Sequence, residues 1–124
     1  YDLLLTRAEA ELQAIVQPDL LHTVREHLRR CLASGRITLD ETAAALGISP
    51  RTLQHQLRAK GQGHRDILDS LRRELAQRYL SDASISLNEI SFLLGYSEQS
   101  AFHHAFQRWT GQSPGEFRRR PKSP

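Results

Sequence analysis

Four side chains between residues 51 and 58 carry the donors and acceptors that a base edge can pair with. Arg51, Gln54, His55 and Arg58 follow one another at steps of three, one and three, which sets them on one face of a helix. Arginine donates bidentately to guanine and glutamine pairs bidentately with adenine. This face carries no acid, so its residue types suit base reading in a major groove. A solvated polar face on an ordinary surface helix has a similar composition. What separates the two readings is a second occurrence, because Ser100, His103, His104 and Gln107 repeat the same spacing.

Each set needs a helix to hold it and a second helix to hold that one. Thr38 and Glu41 have the spacing of a capping box, so a helix is predicted to start at Leu39 and to end at Gly47. Ser49 caps the next start, Pro50 suits a first helical position where a missing N–H costs nothing, and Gly61 supplies the next stop. Leu53 and Leu57, four apart, point inward beneath the polar face. Two helices joined by a short turn containing glycine form the helix-turn-helix pattern, whose second helix enters the DNA major groove.

The unit is duplicated. Laid over the first at an offset of 48 (86 minus 38), the stretch SLNEISFLLGYS matches Thr38 with Ser86, Glu41 with Glu89, Leu46 with Leu94, Gly47 with Gly95 and Ser49 with Ser97. The second turn is one residue longer, after which Leu53 and Leu57 meet Phe102 and Phe106, and His55 meets His104. One further slip puts Gly111-Gln112 on Gly61-Gln62, and Glu116-Phe117 on Asp66-Ile67. Backward, Leu32 meets Leu80 and Ile37 meets Ile85, so each unit includes the helix before it. Shared leucines alone arise easily between two helical stretches; shared caps, glycines and core positions in order do not.

From about residue 20 to 120 the chain resembles the DNA-binding region of AraC/XylS-type transcription regulators, most specifically in LLGYSEQSAFHHAFQRWTGQSPGEFRR. The resemblance implies an all-α protein of about seven helices, with two helix-turn-helix subdomains joined by a long connector and each reading one major groove. The expected boundaries are a linker helix over 1–18, the first subdomain over 19–62, the connector over 63–80 and the second subdomain with a basic tail over 81–124. Ser49, Thr52, Ser97 and Gln99, at the starts of the reading helices, are expected at phosphate, as is Arg118 in the tail. His55 and His104 depart from the family pattern, where many members carry arginine. The implied output is regulation of transcription in the cytoplasm, activating through RNA polymerase, with double-stranded DNA as the partner and no cofactor. The effector-sensing domain common in the family is expected outside this chain. Tyr1 and the lack of any methionine agree with an excised piece.

The chain has 124 residues, 39% hydrophobic and 25% charged, with a net charge of +3. Its charge is unevenly placed: residues 1–50 hold five basic and seven acidic side chains, residues 51–124 twelve and seven. Basicity thus begins at the first reading helix, which suits a polyanionic partner. No stretch is apolar enough for a membrane span. The six histidines lack the partners and spacing of a metal site, and no metal is expected.

Cys31 falls on the apolar stripe Leu21, Val24, Leu28, Cys31 and Leu32 and is expected as a buried structural thiol. Within the connector, Ile67, Leu68, Leu71, Leu75, Tyr79 and Leu80 form a stripe serving both units. Arg65, Arg72, Arg73 and Arg78 alternate with acids and are expected on an exposed, self-paired face. Trp109 is expected in the core. Two other classes compete with DNA reading: a helical protein-interaction module, which would bind regardless of Arg51, and a DNA-binding unit with a reactive cysteine, which would need Cys31 exposed.

Overall fold

The computed structural model describes residues 19–119, and every regular element among them is an α-helix: α1 (Leu20–Cys31), α2 (Leu39–Leu46), α3 (Pro50–Ala59), α4 (His64–Leu80), α5 (Leu87–Leu93), α6 (Gln99–Thr110) and α7 (Pro114–Arg119). The expected helix in residues 1–17 and the tail residues Arg120 and Lys122 lie outside the described residues.

The starts and stops follow from single residues. Asp19, Thr38, Ser49 and Ser86 each accept a hydrogen bond at the head of their helix, from the N–H of His22, Glu41, Thr52 and Glu89. The two expected capping boxes close by half. The Glu41 carboxylate accepts from the Thr38 hydroxyl at 2.9 Å, and Ser86 accepts from the Glu89 N–H at 3.1 Å, but among the described residues the carboxylate-to-cap N–H bond is seen only at α4, from Gly63 N to Asp66 at 2.9 Å. Gly47 ends α2 in the left-handed region at φ 74°, where an L side chain would be strained.

Helix α4, 17 residues or about 25 Å long, runs through both units. Its buried side chains Ile67 and Leu71 meet α1, and Leu75, Ala76 and Leu80 continue the same cluster into the second unit. Val24, Leu28, Leu53 and Leu57 are fully buried at one end, Ile90, Leu94, Phe102 and Phe106 at the other. Burial of each such side chain is worth roughly 1.5–3 kcal/mol, so one continuous core holds both reading helices. Trp109 and Phe117 are half-buried against Phe106, with ring centroids at 6.4 and 5.2 Å.

The two units are tied by a polar joint that the sequence does not announce. Gly95, at φ 86°, passes so near the end of α1 that a Cβ there would stand 2.5 Å from the Leu32 carbonyl oxygen. Arg72 lies alongside. Its Nε donates to the Leu94 carbonyl at 2.7 Å and its guanidinium carbon sits 4.1 Å from the centre of the Tyr96 ring. This corrects the expectation for Arg72: a carbonyl left over at the end of α5 and an aromatic face draw it into a half-buried site. Of the self-pairing expected along α4, the pair Glu74–Arg78 forms at 3.1 Å, and Glu74 also pairs with Arg25 of α1. Cys31 is half-buried rather than buried, with its Sγ 3.9 Å from Nδ1 of His27, which takes the buried place instead.

Candidate nucleic-acid interface

On α3, Leu53 and Leu57 are fully buried while Arg51, Gln54, His55 and Arg58 are all exposed. The helix therefore presents the four polar side chains on the face opposite its anchor. None of their charged groups has an ion-pair partner among the described residues, so their donors remain available. At the head of the helix the Ser49 hydroxyl both accepts from the Thr52 N–H at 3.1 Å and donates to the Thr52 hydroxyl at 2.8 Å.

Helix α6 repeats the anchor with larger side chains. Phe102 and Phe106 are fully buried, Ala105 nearly so, and Ser100, His103, His104 and Gln107 are exposed. The His103 and His104 rings stand edge to face with centroids 6.0 Å apart. The head of this helix differs from that of α3. The longer turn puts Glu98 at the cap, where it makes no cap bond, and leaves Ser97 exposed one residue too early to act as Ser49 does. Glu98 is also an acid beside the face, 3.4 Å from the Ser100 hydroxyl. The sequence carried the signal for both facts in the one-residue slip after Gly95.

A pair of clefts joins the facing flanks of the two helices. A cleft of ≈ 540 Å³ is bordered by Gln54 and Arg58 of α3 and by His64 and Arg65 of α4. A second of ≈ 330 Å³ shares His64 and Arg65 and reaches Ala101, Ala105 and Arg108 of α6. Arg65 and Arg108 are absent from the expected interface, Arg65 having been assigned to a self-paired face. Neither has a carboxylate partner among the described residues. His64 has a structural partner: its Nε2 is 2.9 Å from the Thr42 hydroxyl oxygen. Burial, with the neighbouring His27 adding to it, holds the His64 imidazole below the ordinary histidine range. Burial also pushes the Tyr96 phenol up, against the pull of Arg72.

Arg118, expected at phosphate, is turned inward. Its Nε donates to the Leu80 carbonyl at 3.2 Å and its Nη2 to those of Tyr79 and Asp82 at 3.3 and 3.1 Å. Among the described residues the Leu80 carbonyl at the end of α4 takes no backbone donor and the guanidinium supplies one, while the Tyr79 and Asp82 carbonyls also accept from the N–H groups of Asp82 and Ile85. Arg118 thus fastens α7 to the end of α4. Arg119 stays exposed.

Residues 42–120 match the family profile of a helix-turn-helix domain. The chain is 41% identical over 90 residues to the HTH-type transcriptional regulator VirS of Mycobacterium tuberculosis, an alignment covering 73% of this chain and 26% of that protein. It is 46% identical over 81 residues to the HTH-type transcriptional regulator VqsM of Pseudomonas aeruginosa, covering 65% of this chain and 25% of that one. This chain therefore spans about a quarter of the length of these relatives. Among solved structures, the DNA-binding domain of AdpA, a global transcriptional factor crystallised with a target DNA, superposes with a TM-score of 0.70 at 26% identity, covering 82% of this chain and 91% of that one.

Proposed function

Since the chain belongs to the AraC-type helix-turn-helix family, we propose that it binds duplex DNA sequence-specifically through α3 and α6 and regulates transcription. Arg51, Gln54, His55 and Arg58 read one major-groove segment, and Ser100, His103, His104 and Gln107 read the next. Ser49, Thr52 and Gln99, with the N–H groups at the helix heads, meet phosphate. The regulatory output is activation through RNA polymerase, as family resemblance implies. The observation that carries this reading is the pair of exposed polar faces held on one continuous core by a single connector.

The two faces share only the matched His55 and His104, so one chain reads an asymmetric site and needs no palindrome. The test is selection from random duplex DNA followed by hydroxyl-radical footprinting of the monomer. Two protected segments about one helical turn, roughly 34 Å, apart are expected. Arg51→Ala should cost about 1–3 kcal/mol of binding and relax the preference at one base pair. A single protected segment, or a motif unchanged by that substitution at every position, would sink the two-groove reading.

A further inference from the structure

We propose that Arg65 and Arg108 form a phosphate clamp in the cleft between the reading helices. It holds the DNA backbone that borders the minor groove separating the two read segments. The inference rests on the reading that α3 and α6 enter successive major grooves.

Successive major-groove segments on one face of a duplex are separated by a minor groove, whose flanking phosphates must pass over whatever lies between the two helices. In this chain that place is the pair of clefts joined at His64 and Arg65, with Gln54 and Arg58 on one side and Arg108 on the other. Both Arg65 and Arg108 are exposed, and among the described residues neither is engaged in a hydrogen bond or an ion pair that would have to break. Arg72, the third arginine lining the second cleft, is committed to the Leu94 carbonyl and the Tyr96 ring. Its charge is felt directly by Asp69, the one acid lining the cleft. The cleft therefore keeps a cationic balance with two free guanidinium groups.

Their positions suit the backbone rather than the bases. Arg65 sits in the first turn of α4, across the first cleft from Gln54 and Arg58, and Arg108 is four residues beyond His104, on the flank of α6 that the second cleft joins to α4. Phosphate contacts of this kind fix register and release counterions without selecting sequence.

The experiment measures affinity for the selected site against salt, with hydroxyl-radical footprints, for wild type, Arg65→Ala/Arg108→Ala, Arg65→Lys/Arg108→Lys and Arg73→Ala. Arg73 is exposed on the same helix but does not line the cleft. The alanine pair should lower the steepness of log affinity against log salt by about 2 and lose protection at the facing edges of the two protected segments, while keeping the selected bases of both. Between 50 and 200 mM salt it should therefore lose roughly tenfold less affinity than wild type. The lysine pair should keep most of the steepness, since an ammonium still neutralises a phosphate, and Arg73→Ala should keep all of it. An alanine pair with the wild-type slope and full protection at those facing edges overturns the clamp alone, as does an equal loss in Arg73→Ala or in the lysine pair. A wild-type chain with no two-segment footprint overturns the reading beneath it.

Discussion

The first helix-turn-helix unit is aliphatic beneath its reading helix and polar behind it, whereas the second is aromatic beneath its reading helix and apolar behind it. Leu53, Leu57 and Ile67 in the first correspond to Phe102, Phe106 and Phe117 in the second, and Leu28 of α1 corresponds to the smaller Ala76 of α4. Larger side chains on one wall are met by a smaller one on the other, which keeps the same fold at interior density. Behind α3, the buried Thr42 bonds His64; the same places in the second unit hold Ile90 and Pro114, both buried and apolar. On the outside, Phe92 is 69% exposed and Leu93 37%, where the first unit has exposed Ala44 and Ala45. The duplicated fold thus requires no bulk there. The contrast teaches that the backbone frame, with its caps and glycines, is what the two units share, and that each core was filled separately.

The sharpest way to break the comparison is at the matched turn glycines. Both have positive φ, 74° at Gly47 and 86° at Gly95, so alanine should cost each roughly 1–2 kcal/mol of strain. At Gly47 a Cβ meets nothing within 4 Å, whereas at Gly95 it would stand 2.5 Å from the Leu32 carbonyl oxygen. That contact is with backbone, so α1 and the second turn must separate, adding about 1–3 kcal/mol. Gly95→Ala should therefore lose about 2–5 kcal/mol and Gly47→Ala no more than about 2. Denaturant midpoints measure both. Equal losses would mean that the second unit does not lean on the first through this turn.

Most of the frame was legible because it is written in local signals. The caps at Thr38, Ser49 and Ser86, the stop at Gly47 and the stripes of α3 and α4 depend on neighbours within a turn or two, and spacing reports those directly. The polar faces were legible for the same reason, since burial of Leu53 and Leu57 forces Arg51, Gln54, His55 and Arg58 outward. What remained hidden depends on contacts far apart in the chain. Arg72 is 22 residues from the Leu94 carbonyl it serves, and Arg118 is 38 from that of Leu80. An arginine alternating with acids looks solvated until the carbonyl it satisfies is placed beside it. The cleft holding Arg65 and Arg108 is likewise visible only once the units are docked.

A smaller effect sharpens the contrast between the helix heads. Ser49 accepts from the Thr52 N–H, and Ser49→Ala should cost about 1 kcal/mol. Ser97 matches it in sequence but precedes the cap position, held by Glu98, so Ser97→Ala should stay within about 0.5 kcal/mol of wild type. Thermal or denaturant midpoints of the two variants decide the matter. A loss at Ser97 equal to that at Ser49 would show that the longer turn does cap α6 from Ser97.

The smallest expected effect separates the polar back of the first unit from the apolar back of the second. The Thr42 hydroxyl oxygen is 3.0 Å from the Thr38 carbonyl, to which it donates its one hydrogen, and 2.9 Å from His64 Nε2. It can then only accept from His64, so the neutral ring carries its proton on Nε2 and further protonation falls on Nδ1. Burial and His27 oppose that second proton, which is why the folded-state pKa lies below the ordinary value. The unfolded chain accordingly binds more protons than the folded one between the lowered value and about 6.5. Stability from this site is fully present above that upper limit and is lost as pH falls through the window. His64→Gln keeps an amide donor for Thr42 but removes the titration, so its denaturant midpoint should decline less than that of wild type between about pH 7 and 5. The exposed histidines His22, His55, His103 and His104, and the buried His27, are present in both proteins, so the difference between the curves belongs to His64 together with its interaction with His27. Parallel curves would show that the polar contact behind α3 responds to pH no more than Ile90 and Pro114 do in the other unit.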